Sequence, residues 1–412
     1  MIELRPFILK NTVQNYAWGT KGPESYIANL LQIKDDSETP YAELWMGAHP
    51  KASSQIFFED TWVDLNEVID RYPIEMLGKN VSKIYENKLP FLFKVLSAGE
   101  PLSIQAHPTI EQAKKLHLEN PENYPDENHK PEIAIALDHL TALVGFKPYQ
   151  EIQSTIILYP GITVLIGKST IDGFLTEVPP GIIEQKTQIK NLYATIINLS
   201  ENDPEIFETI IKEIKSSIES KKVSERFQFE NLYLQMFYKY GADIGLISIL
   251  FFNLIHLRKG EAIFTPAGLP HAYINGNIIE CMANSDNVIR AGLTPKFKDV
   301  NNLIKLMDYT PGYPELVKIE VAGSVNKYLC PVEEFVVKLI SLDDDDVYTY
   351  CSGLPSIILA IEGELEIQWY TNNSLQKIEL TRGSSVFIPA QINDLTLKNK
   401  IDSEIFVATV NY

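Results

Sequence analysis

Gly260-Glu-Ala-Ile-Phe-Thr-Pro266-Ala-Gly268-Leu-Pro-His271-Ala-Tyr-Ile-Asn275 is the most informative run in the chain. Its glycines and prolines bracket a short β-rich filling, Ala262 to Thr265, which reads as a strand between two turns. The opening recurs once. Gly383-Ser-Ser-Val-Phe-Ile-Pro389 repeats the glycine, the five residues and the proline. Beyond the proline the copies part: the first runs on to His271, the second to Ala390-Gln391-Ile392-Asn393 with no histidine. A weak repeat of this kind predicts two barrels of one ancestry, only the first retaining chemistry. The second is expected to hold no metal near Gln391 or Asn393.

Two segments upstream complete a constellation with His271. In Ser103-Ile-Gln105-Ala-His107-Pro108, Gln105 and His107 stand two apart, so a strand turns both to one side. Tyr124-Pro-Asp126-Glu-Asn128-His129-Lys130-Pro131-Glu132 precedes a strand-like run, Ile133 to Leu137. His107, Glu132 and His271 would supply two imidazoles and a carboxylate, a set that suits zinc or ferrous iron. Gln105 would add a neutral oxygen, and water or a substrate oxygen could complete the shell. His49, alone beside Pro50, reads as structural. The spacing across 260–275 resembles the second motif of the cupin superfamily at every fixed position.

The rest of the chain sorts into blocks. The first ~150 residues read as short strands cut by turn residues, such as Glu43 to Met46 and Phe91 to Leu96. Thr109 and Gln112 form a capping box for a helix reaching about Leu118. From Tyr149 the character turns helical: Asp203-Pro204 starts a helix on which Ile206, Phe207, Ile210, Ile211, Ile214 and Ile218 recur at helical spacing, and Asn231 to Tyr240 continues it. That stripe is core packing and carries no chemistry. Strand patterns return at about Ile247 and persist to the end. Asp343 to Asp346 reads as a solvated turn, since a calcium loop needs a glycine and further spaced ligands. The expected architecture is mainly β with a helical domain. Two cupin-type jelly-roll barrels occupy 1–148 with 243–320 and 321–412, and the helical insertion occupies 149–242.

Composition bounds the function. With 412 residues, 45% hydrophobic and 22% charged, the chain is an ordinary globular one of two or three domains. A net charge of −18 argues against nucleic acid or an anionic membrane as partner. It also means that an anionic substrate needs a local basic pocket. Three scattered cysteines, Cys281, Cys330 and Cys351, argue for a reducing compartment. No secretory pattern opens the chain, and the longest apolar run, Gly245 to Leu257, is too short to span a bilayer. A cytoplasmic protein, monomeric or weakly oligomeric, is expected.

A polar segment, Glu280-Cys-Met-Ala-Asn284-Ser-Asp286-Asn287-Val-Ile-Arg290-Ala-Gly292-Leu-Thr294-Pro-Lys296, offers the basic pocket. Arg290, Lys296 and Lys130 could bind an anion such as phosphate. This segment and Tyr124–Glu132 look like the two signatures of the type I mannose-6-phosphate isomerases, a cupin family. Asn15-Tyr-Ala-Trp-Gly19, Ala42-Glu-Leu-Trp-Met-Gly47 and Leu102–Pro108 support the likeness. The likeness is strong over about 10–150 and 243–300 and faint elsewhere.

The resemblance implies one zinc ion per chain on Gln105, His107, Glu132 and His271, with Arg290 as the active-site arginine. It places Lys130, Tyr273 and Ser103 on the sugar phosphate, and Asp286 and Lys296 beside it. The implied reaction interconverts mannose 6-phosphate and fructose 6-phosphate through a cis-enediol. Arg290 is a poor base because it stays charged. Asp286, Lys296 and a metal-bound water remain open as proton carrier. Two other readings compete: an iron-dependent cupin oxygenase, and a non-catalytic sugar-phosphate-binding cupin. The first leaves the three cations without a purpose, and the second leaves the proton carrier without one.

Overall fold

The computed structural model describes residues 3–34, 37–294, 298–351, 353–371, 374–392 and 394–411. Helix and strand take near-equal shares, about 31% and 36%, so the protein is mixed rather than mainly β. Among the described residues the strands form two large antiparallel sheets and one small pair. One sheet runs Phe252–Arg258, Glu132–Phe146, His271–Ala283, Phe91–Ala98, Glu43–Met46, Thr12–Gln14. Ala262–Thr265 pairs with Glu132–Phe146, and Ile104–Ala106 lies between His271–Ala283 and Ile289–Gly292. The other sheet centres on Ser356–Thr371 and Leu395–Thr409.

The repeat seen in the sequence is a repeat in space. Gly260 and Gly383 adopt φ +83° and +82°. Gly260 N–H donates to Ala136 O, and Gly383 N–H to Ala360 O, both at 2.8 Å. Ala136 N–H and Ala360 N–H donate back to Glu261 and Ser384, both at 3.0 Å. Each copy thus hangs its short strand from a long one by the same two bonds. Their fillings differ. Around the second copy Ile340, Ile358, Leu365, Ile367, Val386, Leu397 and Val407 pack an apolar cluster. Asn393, named with the second copy, lies outside the described residues.

The two sheets are not independent units. Phe7–Lys10, from the region expected in the first barrel, pairs instead with Ser385–Ile388 and with Gln55–Phe58. One apolar core then joins Phe7, Leu9 and Ile56 to Phe91, Ile133, Phe335, Ile357, Phe387 and Phe406.

Helices fill the segment from Tyr149–Leu158 to Gly245–Phe251. The strand expected from about Ile247 begins only at Phe252, because Gly245–Phe251 is a helix buried on every side. A short run that is apolar all round has no periodicity to tell helix from strand. The local signals elsewhere hold. Thr109 and Gln112 form the reciprocal capping box of Ile110–Glu119, and Asp203 caps Pro204–Glu219. On that helix Phe207, Ile210, Ile211, Ile214 and Ile218 are buried while Ile206 faces solvent. Asp343 to Asp346 is an exposed turn closed by Asp346 on the Asp343 N–H. No helix among the described residues is long and apolar enough to cross a membrane.

Gly268 ties this frame to the residues ahead of His271. Its φ is +83°, its N–H donates to His107 O at 2.8 Å, and an added Cβ would meet Leu306 O at 2.9 Å. Gly268→Ala is therefore expected to cost about 1–3 kcal/mol, read as a lower denaturation midpoint at unchanged denaturant slope. A midpoint equal to that of the parent would show that the turn relaxes freely.

Candidate active site

Neighbouring strand ends converge on one point. Gln105 lies opposite both His271 and Arg290 in the pairing. His107 follows the same short strand by one residue, and Glu132 opens the strand that pairs with His271–Ala283. The ligand-type atoms of His107, Glu132 and His271 lie within 4.8 Å of one another, and all three side chains are fully buried. His107 Nε2 is 3.5 Å from Glu132 Oε1, and His271 Nε2 is 3.3 Å from Oε2.

The outer nitrogens fix the inner ones. His107 Nδ1 donates to Asn287 O at 2.9 Å, and His271 Nδ1 donates to Leu269 O at 3.0 Å. A carbonyl only accepts, so Nδ1 carries the proton on both rings and Nε2 points inward. Burial pushes the His107 imidazole down to about 4, against the pull of Glu132, so it is neutral and its Nε2 offers a lone pair. Burial alone would raise the Glu132 carboxyl, but Lys130 and the two imidazoles hold it well below the usual range. His107 Nε2 and both Glu132 oxygens have no hydrogen-bond partner. Lys130 Nζ stands 3.0 Å from Oε1 as an ion pair outside hydrogen-bond geometry. Unpartnered buried acceptors are costly. A lone pair and a carboxylate facing each other across 3.5 Å fit a cation between them, and the donor set suits zinc.

The centre opens on a cavity of about 680 Å³, lined by Ser103, Gln105, Lys130, Glu132, Tyr273, Asp286 and Arg290. Those sequence-picked residues are thus brought together, with His107 and His271 behind them; Lys296 lies outside the described residues. Gln105 Nε2 contacts His271 Nε2 at 3.4 Å. Arg290 has no carboxylate partner among the described residues; burial lowers its proton affinity, but a guanidinium stays charged. Asp286 is engaged: Lys51 Nζ is 2.8 Å away and His49 Nε2 3.5 Å away. Burial would raise its carboxyl, yet Lys51, with His49 beside it, holds it low. His49 is buried, with its ring edge-on to Trp45.

Sequence reasoning overlooked a second buried set on the cavity wall. Lys94 Nζ donates to Glu280 Oε2 at 2.8 Å, lies 3.9 Å from Glu43 Oε2, and sits over the Trp45 ring. Glu43 in turn accepts from Trp45 Nε1 at 2.5 Å. Burial raises the Glu280 carboxyl above its ordinary range despite Lys94, and Glu132 adds to the effect. Burial opposes the Lys94 charge, but Glu280 and Glu43 outweigh it and keep the ammonium. A signal was present: Lys94 and Glu280 are single charges inside apolar strands, Phe91–Ala98 and His271–Ala283. They face each other in the pairing. The helical region also reaches the cavity through Lys239, which pairs with Glu100 at its edge.

Fold and site define a class: an enzyme of mixed helix and antiparallel sheet with a buried His–Glu–His centre under a cation-lined cavity. Residues 7–149 match the catalytic domain of type I phosphomannose isomerases. Mannose-6-phosphate isomerase 2 of Arabidopsis thaliana is 38% identical over 403 residues, covering 93% of this chain and 89% of that protein. The mannose-6-phosphate isomerase of Rattus norvegicus is 36% identical, covering 95% of each. The crystal structure of a mutant phosphomannose isomerase from Salmonella typhimurium superposes with a TM-score of 0.86 at 30% identity, covering 99% of this chain and 100% of that one. A mannose 6-phosphate isomerase bound with zinc and yttrium superposes at 0.84, also at 30% identity and with the same coverage. The chain belongs to the type I phosphomannose isomerase family.

Stripped of metal, the site should make stability depend on pH. The His107 pKa falls from 6.5 to about 4 on folding, so between those values the unfolded chain binds the extra proton. Stability is then complete above about pH 6.5 and falls by up to about 3 kcal/mol as pH drops to about 4. Glu132, also held low, continues the loss below its ordinary 4.5. Urea midpoints of the chelated protein should fall steadily through that window, and His107→Phe should flatten the upper part.

Proposed function

We propose that the protein interconverts mannose 6-phosphate and fructose 6-phosphate through a cis-enediol, with one zinc ion per chain. The observation that carries this reading is the His107–Glu132–His271 group, its unpartnered atoms facing one another, beneath a cavity lined by Lys94, Lys130 and Arg290. Gln105 would be the fourth ligand, its amide turned by half a rotation to present oxygen. Bound there, zinc supplies a Lewis acid for the carbonyl and for the negative charge that develops on the sugar oxygens. Two cupin-type jelly-roll barrels with the helical insertion at 149–242 fit the two-sheet layout, the first strand serving the second barrel. Three free cysteines fit a reducing cytoplasm.

The reaction moves a proton from C2 of the open-chain aldose to C1, while a hydroxyl proton passes from O2 to O1. Of the carriers weighed from the sequence, Asp286 is tied to Lys51 and His49. Glu280 suits the task better, as a buried carboxylate on the cavity wall with a raised proton affinity. It takes the C2 proton and returns it at C1. While it holds that proton, the Lys94 charge is no longer neutralised by Glu280 and faces the anionic intermediate. Arg290 lies opposite Gln105, on the same side of the sheet, and stabilises the enediolate without exchanging protons. Lys130, given to the phosphate by sequence reasoning, is buried against Glu132, which favours a place at the reacting end. The phosphate then lies toward Ser103 and Lys239.

A coupled assay for fructose 6-phosphate tests the reading: activity should vanish with a chelator and return with zinc. A zinc-loaded protein that turns over no mannose 6-phosphate would sink it. His271→Ala should lose metal and activity together, while Gln105→Ala keeps more of both, because a neutral amide is the weakest of the four ligands.

Glu280→Gln keeps the size and a hydrogen bond to Lys94 but cannot carry a proton. Its kcat should fall by about 10²–10⁴ with little change in KM, and exchange of the C2 hydrogen with solvent should stop. Normal exchange in that variant would move the carrier elsewhere.

A further inference from the structure

The His129 ring, on the loop ahead of the strand Glu132–Phe146, meets a residue from the far end of the chain. His129 Nε2 lies 2.6 Å from Glu334 Oε1, both side chains largely buried. An ionised carboxylate only accepts, so Nε2–H donates. Glu334 is itself held in place. Asn411, at the end of the strand Leu395–Thr409, donates its side-chain amide to Cys330 O at 3.1 Å and Val332 O at 2.8 Å, and its N–H to Glu333 O at 3.0 Å. The buried Phe335 follows Glu334 into the common core.

What Glu334 grips is the turn that carries Lys130. On one side of Lys130, Asn128 Oδ1 accepts the His129 N–H at 3.0 Å, and Asn128 O accepts from Ser285 and Asn287. On the other, Pro131 O accepts the Ala283 N–H at 3.1 Å. Lys130 itself precedes a proline, which confines its backbone to extended conformations. With His129 and Pro131 pinned, the Lys130 backbone has little freedom, and its Nζ stands 3.0 Å from Glu132.

We propose that Glu334 is a positioning residue for the isomerisation: through His129 the second sheet fixes the 129–131 turn and thereby the place of the Lys130 ammonium. The inference rests on the reading of Lys130 as part of the reacting end. It gives the C-terminal region a share in the rate without any contact with substrate.

The test uses the full-length zinc-loaded enzyme. Glu334→Ala should keep its zinc and lower kcat about tenfold with KM within about twofold, since a small misplacement near the reacting atoms is felt mainly in the rate. Glu334→Gln still offers an oxygen to Nε2–H and should recover most of the loss. Glu334→Asp, one methylene short, should fall between, and serves if the alanine variant does not fold. In a Lys130→Ala background, Glu334→Ala should lower kcat no further, because the two act along one line. An unchanged kcat in Glu334→Ala and Glu334→Asp overturns the inference, as does full additivity with Lys130→Ala. If Lys130→Ala lowers kcat and the Glu334 variants do not, the inference alone fails. If Lys130→Ala keeps full kcat, the reading of Lys130 fails and the inference with it.

Discussion

The structure turns on Glu132, a carboxylate with no solvent exposure and no hydrogen bond to either oxygen. Removing a charge from water costs several kcal/mol unless something replaces the water. Here Lys130 stands in for it on one side, while on the other the inward Nε2 atoms of the two imidazoles leave a place for a cation against the carboxylate. Each imidazole is held by a backbone carbonyl: Asn287 O on His107, Leu269 O on His271. The Asn287 loop is fixed in its turn by Asp126, which accepts from Ser285, Asn287 and the Asp286 N–H. The two polar signatures are therefore one hydrogen-bonded unit, built to keep a costly group in place.

The second buried set follows the same logic with a different outcome. Lys94, Glu280 and Glu43 carry two negative charges and one positive, so the cluster is not neutral by itself. Trp45 donates to Glu43 and presents its ring to Lys94, which softens the excess. Burial raises the proton affinity of Glu280, which borders the cavity beside Glu43. An acidic protein thereby shows its substrate a wall of lysines and an arginine while keeping their counter-ions behind or beside them. The net charge of −18 and an anionic ligand are compatible for this reason.

The His107–Glu132–His271 group was legible because each member sits at a strand end next to a residue that dictates the backbone: His107 before Pro108, Glu132 after Pro131, His271 after Pro270. Turn chemistry is local, so sequence reveals it. Lys94 and Glu280 were not legible in the same way. Each reads alone as a stray charge in an apolar strand, and only the pairing of Phe91–Ala98 with His271–Ala283 makes them a pair. The place of Phe7–Lys10 was hidden likewise. Its alternation says which face is buried but not which partner strand it joins, and the answer, Ser385–Ile388, lies at the other end of the chain. Gly245–Phe251 misled for the opposite reason: it is buried on all sides, so its pattern carried no period.

The contrast between the two repeated copies has a physical basis. Both hang a short strand from a long one by the same pair of hydrogen bonds, so the frame does not depend on what fills it. The first copy has an apolar cluster too, around Leu140, Val144 and Ile263, but it also buries ionisable groups, and their burial weakens folding. The second is filled with Ile, Leu and Val, whose burial drives it at roughly 25 cal/mol per Å² of apolar surface. Because Phe7, Phe91, Phe335 and Phe387 share one core, the stability of the apolar copy is available to the polar one. The apolar copy thus has a structural role. Through the common core, and through the loop from Cys330 to Glu334 that meets His129, it packs against the sheet that carries the buried charges.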